Sequence, residues 1–226
     1  MGKALFITGT GTDIGKTYVT GLIVKKLHDA GLRAGYYKAA LSGAETLADG
    51  TLLPGDALHV AQIAGLAAED ASVSYIYRDA VSPHLAAQIE NRPMDFDKVE
   101  QDFKQAQERT DYLTVEGSGG IICPLRWDDE EHVVLDDLIL RLGLSALVVA
   151  DAGLGTINAA VLTAEHLRMR GISLKGFIFN NWQGGTMQED NVRMVEALTG
   201  APVLACVEHG AVELPMAADA LAALYD

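Results

Sequence analysis

Cysteine is almost missing from this chain. It holds two, Cys123 and Cys206, too far apart and too few for a zinc spacing or a disulfide framework, so a reducing, cytoplasmic setting is expected. Long apolar runs are missing too. No stretch approaches the roughly 20 residues that a membrane span needs. Met1-Gly2-Lys3 runs into a short strand rather than a signal-peptide core, and Phe6 stands where a myristoylation motif wants Ser or Thr. Basic charge is scarce: 17 Lys and Arg against 31 Asp and Glu give a net charge of −14. Nucleic acid and membrane surfaces are therefore not expected as partners, because both demand a clustered basic face. The six histidines form no catalytic cluster. No repeat, low-complexity tract or linker divides the sequence. What remains is 226 residues, 49% hydrophobic, enough for a large core and read as one unit spanning 1–226.

Short apolar segments alternate with amphipathic ones. Strands are expected at Ala4–Ile7, Ala34–Tyr37, Tyr112–Val115, Ala146–Ala150, Gly176–Phe179 and Val203–Val207. Helical spacing separates them at Tyr18–His28, Asp56–Ala64, Phe96–Glu108, Ile157–Arg170 and Gln188–Leu198, and Leu214–Leu224 closes the chain. This alternation predicts an α/β fold: a doubly wound, mainly parallel sheet with helices on both faces. Ligands in such folds sit beyond the carboxyl ends of the strands, which nominates the loops 8–16, 38–56, 116–132, 151–156 and 180–187.

The first of these loops is the most informative. Gly9-Thr-Gly-Thr-Asp-Ile-Gly-Lys-Thr17 follows a strand and opens a helix, the layout of a phosphate-binding loop and of P-loop NTPase-like folds. Backbone N–H groups from Gly11, Thr12, Asp13, Ile14 and Gly15 would face an anion. Lys16 would reach the outer phosphates, and the Thr17 hydroxyl would join a magnesium ion. Five residues separate Gly9 from Gly15-Lys16-Thr17, one more than the general pattern has.

Glu116 sits at the tip of Tyr112-Leu-Thr-Val115 and begins Glu-Gly-Ser-Gly-Gly120. It reads as a magnesium-binding acid beside the phosphates, since a hard cation takes oxygen ligands. Asp56 follows Pro54-Gly55 and reads either as a helix N-cap or as a second metal ligand. Lys38 ends the second strand, either solvated or placed as a further fixed cation where negative charge develops. His84, in Ser82-Pro-His84, reads as loop-shaping, and the acidic stretch Trp127–His132 as a solvated loop.

Taken together these residues resemble a family, the dethiobiotin synthetases. The resemblance spans essentially the whole chain. It rests on Thr8-Gly-Thr-Gly-Thr-Asp-Ile-Gly-Lys-Thr17 with its longer spacing, Lys38 with Ser42-Gly43, Asp56, Ser82-Pro-His84, Val115-Glu-Gly-Ser-Gly-Gly120, Pro124-Leu125, Leu154-Gly-Thr-Ile-Asn158 and Asn180. It implies ATP- and Mg²⁺-dependent joining of CO₂ to 7,8-diaminopelargonate, with closure of the ureido ring of dethiobiotin through a carbamate and a carbamic–phosphoric anhydride. It further implies that Thr17, Asp56 and Glu116 bind magnesium directly or through water, that Lys16, Lys38 and Thr12 serve catalysis, Lys16 at the phosphates and Lys38 and Thr12 at the carbamate, and that Ser42 lies beside the diamine. Gly155, Thr156, Ile157 and Asn158 would hold the substrate carboxylate across a homodimer interface, and Asn180 would read the base.

The chain departs from that family's pattern at three places. Gly11 replaces an acid, Ala39 replaces a proline, and Ala205-Cys-Val-Glu-His-Gly210 replaces Gly-Glu-Ile-Pro. The last leaves another nucleoside triphosphate open beside ATP. The alternative function is a nucleotide-dependent dimeric switch of the partition or septum-site ATPase type. Such proteins carry a second lysine five positions before the phosphate-loop lysine, where this chain has Gly11.

Overall fold

The computed structural model describes residues 1–226. Its centre is a seven-stranded parallel sheet. Strands β1 (Lys3–Gly9), β2 (Ala34–Leu41), β5 (Ala71–Ile76), β6 (Tyr112–Glu116), β9 (Ala146–Asp151), β10 (Leu174–Trp182) and β11 (Val203–Glu208) lie in the order β11-β10-β9-β1-β6-β2-β5. The expected doubly wound sheet is present, with all six expected strands in it. The chain leaves β1 for one side and returns to β9 on the other, so the order reverses at β1, where such folds bind ligands.

Side chains alternate across the pleat and build two cores. Ala4 and Phe6 of β1 enter one, Leu5 and Ile7 the other. Helices α1 (Lys16–Asp29), α2 (Gly55–Ala64) and α8 (Ala218–Ala222) cover the second face with Val19, Leu22, Ile23, Val60 and Leu221. Helices α3 (Pro83–Ile89), α4 (Phe96–Arg109), α5 (Leu135–Leu142), α6 (Thr156–Met169) and α7 (Thr186–Thr199) supply the first core with residues such as Ala86, Phe103, Leu138, Leu167 and Val195. Two small hairpins, β3 (Glu45–Thr46) with β4 (Leu52–Leu53) and β7 (Pro124–Trp127) with β8 (His132–Val134), stand beyond the carboxyl edge. No helix is long and apolar enough to cross a membrane.

Several expectations need correction. The closing helix spans only Ala218–Ala222, because Ala217 is extended and the helix starts after it. His84 sits in the first turn of α3 rather than in a loop; Pro83 opens that helix, and the Ser82 hydroxyl lies 3.0 Å from His84 Nδ1. The 127–132 segment is the solvated loop of a hairpin, closed by pairing of Trp127 with His132. Trp127 stacks on His132 at 4.3 Å between ring centroids. Arg126 holds Asp128 at 2.6 Å, Glu130 at 2.7 Å and Glu131 at 3.3 Å. Both cysteines are free thiols.

Candidate active site

The phosphate-loop sequence is shaped by close approaches. A Cβ on Gly9 would lie 2.6 Å from Ile14 Cδ1 and 2.8 Å from Lys16 Cδ, so any larger residue would push those two side chains aside. Gly15 has φ +84°, and a Cβ there would fall 2.1 Å from Asn180 Nδ2. The loop thus hands the chain to α1 with Lys16 as its first helical residue. Lys16 is buried, and its Nζ donates to the Gly11 carbonyl at 2.7 Å. That uses one of three ammonium donors. Burial, helped by the Lys38 ammonium, holds its pKa below the ordinary lysine value.

Sheet register assembles the rest. On β2 and β6, Lys38 pairs with Glu116 and Tyr36 with Thr114. Because side chains repeat every second residue, Tyr36, Lys38 and Glu116 share the face covered by α1 and α2. Lys38 Nζ lies 2.7 Å from Glu116 Oε1 and 2.6 Å from Asp56 Oδ2. The Thr17 hydroxyl, in the first turn of α1, donates to Glu116 Oε1 at 2.8 Å. The Tyr36 hydroxyl donates to Glu116 Oε2 at 3.3 Å. Lys38 is 5% exposed and Glu116 2%. Burial alone would lower the Lys38 pKa; the carboxylates of Glu116 and Asp56 outweigh it and hold the pKa above the ordinary value.

A cleft of about 420 Å³ opens over this floor. It brings together the expected residues Thr12, Asp13, Gly15, Lys16, Thr17, Lys38, Ser42, Asp56 and Glu116. Gly11 and Ile14 belong to the same loop, Gly11 through its carbonyl to Lys16 and Ile14 through its carbonyl to Asn180. Ser118 and Gly119 line the cleft without having been singled out, and Tyr36 lies beneath it. Ser118 was legible in Glu-Gly-Ser-Gly-Gly120, and Tyr36 through its two-residue offset from Lys38 on one strand face.

Two positional readings change. Lys38 does not end its strand, because β2 continues to Leu41 through pairing of Ala40 and Leu41 with Tyr75 and Ile76 of β5. Asp56 is not an N-cap. Pro54 occupies that place, and Asp56 stands in the first turn with its carboxylate on Lys38.

Other expected residues lie apart. Asn180 is on the far side of the phosphate loop, at a second cleft of about 360 Å³ that it shares with Asp13, Gly15, Tyr18, Asn181, His209 and Gly210. Its amide donates to Ile14 O at 2.9 Å, while Oδ1 is buried without a partner. Gly155, with φ +94°, precedes α6; Thr156 is buried, Ile157 half-buried and Asn158 exposed. None of these four lines the Lys16–Lys38 cleft of the same chain.

The donor chemistry fits a small hard cation. Thr17, Glu116 and Asp56 offer one hydroxyl and two carboxylates, with no soft ligand among them. No group of three or more His, Cys, Asp or Glu side chains forms a self-sufficient metal cage. Magnesium suits such a set, since it commonly takes one or two carboxylates and completes its shell with phosphate oxygens and water.

Known proteins resemble this chain over most of its length. A family model described as an AAA domain matches residues 3–212. The ATP-dependent dethiobiotin synthetase of Brachyspira hyodysenteriae is 48% identical over 216 residues, covering 95% of this chain and 96% of its own. That of Clostridium botulinum strain 657 is 47% identical over 208 residues, covering 91% of each. Among solved structures, a ParA family ATPase from Chlorobium tepidum superposes with a TM-score of 0.55 at 14% identity, over 91% of this chain and 83% of that one. The cell-division protein MinD of Aquifex aeolicus gives 0.54 at 14% identity, over 91% and 81%. At that identity the two structures speak for the fold alone.

Proposed function

Since the chain belongs to the family of ATP-dependent dethiobiotin synthetases, ligases of biotin biosynthesis, we propose that it closes the ureido ring of dethiobiotin at the Lys16–Lys38 cleft. Its substrates would be 7,8-diaminopelargonate, CO₂ and ATP, and the whole chain would act as one nucleotide-binding and ligase unit. The supporting observation is the convergence of two buried lysines and a hydroxyl–carboxylate set on one cleft.

One substrate amine takes up CO₂ as a carbamate. A carbamate oxygen is a weak nucleophile, so it must be held in line with the γ-phosphorus while charge spreads over the transferring group. Lys16 and the loop N–H groups hold the phosphates. Lys38 commits two of its three donors to Glu116 and Asp56, leaving one for a carbamate oxygen. Thr12 and Ser42, on the walls, orient carbamate and diamine. Transfer of the phosphoryl group releases ADP and gives the carbamic–phosphoric anhydride. The second amine then attacks its carbonyl carbon, the C–O bond to phosphate breaks, and phosphate leaves with the amine proton as the ring closes. Thr17, Glu116 and Asp56 would hold Mg²⁺, which neutralises phosphate charge when bound.

The carboxylate of the diamine would be held at residues 155–158 of a partner subunit, where the start of α6 offers unpaired backbone N–H groups. Homodimerisation is supported by the exposed apolar residues Leu154, just before that helix, and Leu162 and Met169 along it. The decisive experiment incubates the protein with diamine, bicarbonate, Mg²⁺ and each nucleoside triphosphate in turn, following ureido product by mass spectrometry. The expected result is product and phosphate release in equal amounts. Triphosphate hydrolysis indifferent to diamine, with no ureido product, overturns the proposal.

A further inference from the structure

We propose that Tyr36 is a positioning residue that fixes the second carboxylate oxygen of Glu116 and thereby sets the affinity of the site for its divalent cation. The inference rests on the reading of Glu116 as a cation ligand.

Glu116 is enclosed. Its Oε1 receives the Thr17 hydroxyl at 2.8 Å and the Lys38 ammonium at 2.7 Å, whereas the hydrogen bond to Oε2 comes from Tyr36 Oη, at 3.3 Å. The Tyr36 ring is fully buried in the core beneath α1, among residues that include Leu5, Val19 and Leu22. Packing therefore locks the ring, and the ring aims its hydroxyl. A buried phenol with no other partner must spend its proton on this carboxylate. With Oε2 held from below, rotation of the carboxylate is opposed, and Oε1 stays directed at Thr17 and the cleft. Partners that orient a ligand typically shift metal affinity 10- to 100-fold; the long contact here places the effect near the lower bound.

The test uses full-length protein, ADP and Mn²⁺ as the probe ion, read by electron paramagnetic resonance without turnover. In Tyr36→Phe, whose ring keeps its packing, Mn²⁺ binding to the ADP-bound protein should weaken about 10-fold. Affinity for metal-free ADP should be unchanged, a split that a merely structural loss would not give. Mn²⁺ affinity within about twofold of the parent, in a folded Tyr36→Phe protein, overturns the inference. Should Tyr36→Phe not fold, 3-fluorotyrosine at position 36 keeps the hydroxyl. Its ¹⁹F resonance should move when Mg²⁺ is added to the ADP complex, and a resonance that stays put overturns the inference. Glu116→Gln separates the two levels. If it binds Mn²⁺ like the parent, the cation-ligand reading fails and Tyr36 falls with it; if it abolishes binding while Tyr36→Phe does nothing, only Tyr36 is refuted.

Discussion

Replacing Lys38 with methionine isolates the charge at the floor of the cleft, because the stem length is nearly kept and the ammonium is lost. That ammonium is 5% exposed and lies 2.7 Å from Glu116 and 2.6 Å from Asp56. Breaking a buried ion pair by removing one partner costs about 3–5 kcal/mol. Asp56 adds little, because its side chain is 36% exposed and water compensates it, to within about 1 kcal/mol. Glu116 keeps the Thr17 and Tyr36 hydroxyls, which holds the total near the lower bound. About 3 kcal/mol in a chain of this size lowers the melting temperature by about 6–12 °C. The Lys38 pKa is raised in the folded protein, so its contribution is complete below the unfolded lysine value of about 10.4 and is lost only as pH rises through the higher folded value. Melting at neutral pH therefore reads the full effect. Mg²⁺ with ADP should narrow the gap, by supplying positive charge beside Glu116. Turnover, followed by phosphate release with diamine and bicarbonate, should fall about 10²–10³-fold, the usual loss when a preorganised electrostatic contact to the transition state is removed. A melting temperature within about 2 °C of the parent would refute the energetic reasoning, and turnover within about threefold would refute the catalytic role.

Gly15→Ala should lose ADP binding by calorimetry and lower the melting temperature, since its left-handed backbone costs about 1–2 kcal/mol for a side chain and the new Cβ meets Asn180 at 2.1 Å. The Asp128 carboxyl is held down to about 2, by Arg126 first and then by the Glu131 N–H. Its depressed value means that its contribution to the β7–β8 hairpin is present above the unfolded value of about 3.9 and lost as pH falls through the folded one. The amide NMR signals of Glu130 and Glu131, whose N–H groups donate to Asp128, should therefore stay unchanged down to mildly acidic pH and move only below it; a transition centred at neutral pH would contradict this. If the substrate site is shared, mixing Asn158→Ala subunits with Lys16→Ala subunits should restore activity that neither variant has alone. Confirmed heterodimers without activity would remove residues 155–158 from the site.

Where hydrophobic period and turn chemistry agreed, the sequence was readable. Strands β1, β2, β6, β9, β10 and β11 are apolar because helices cover both their faces. The edge strand β5 escaped because Ser72 and Ser74 interrupt it and it is mostly half-buried, so Ala71–Ile76 carries no continuous apolar run; the Ser74 hydroxyl instead meets the buried Tyr37 hydroxyl at 2.7 Å. Helix α3 hid behind Ser82-Pro83, a turn signal that here opens a helix. Helix α5 hid because Asp136 and Asp137 interrupt its apolar face. There Asp136, with no exposed surface, takes contacts from His166 at 2.5 Å and Arg170 at 2.8 Å, and Asp137 meets Arg170 at 2.7 Å. These are tertiary contacts that a local pattern cannot display. At the site, Lys16, Thr17 and Glu116 announced themselves through motif and strand end. Tyr36 did not, since a tyrosine in a buried strand looks like core until register reveals which atom its hydroxyl meets.

That register has a bearing on how such an enzyme could be altered. Because Lys38 and Glu116 face each other on the last rung of the β2–β6 ladder, the charged floor cannot drift without unzipping that end of the strand pair. Ser42 and the hairpins near it belong to surface loops that carry no such duty. Remodelling those walls should change which diamine is admitted while the phosphoryl chemistry below continues undisturbed, which makes the rim, not the base, the place to begin redesign.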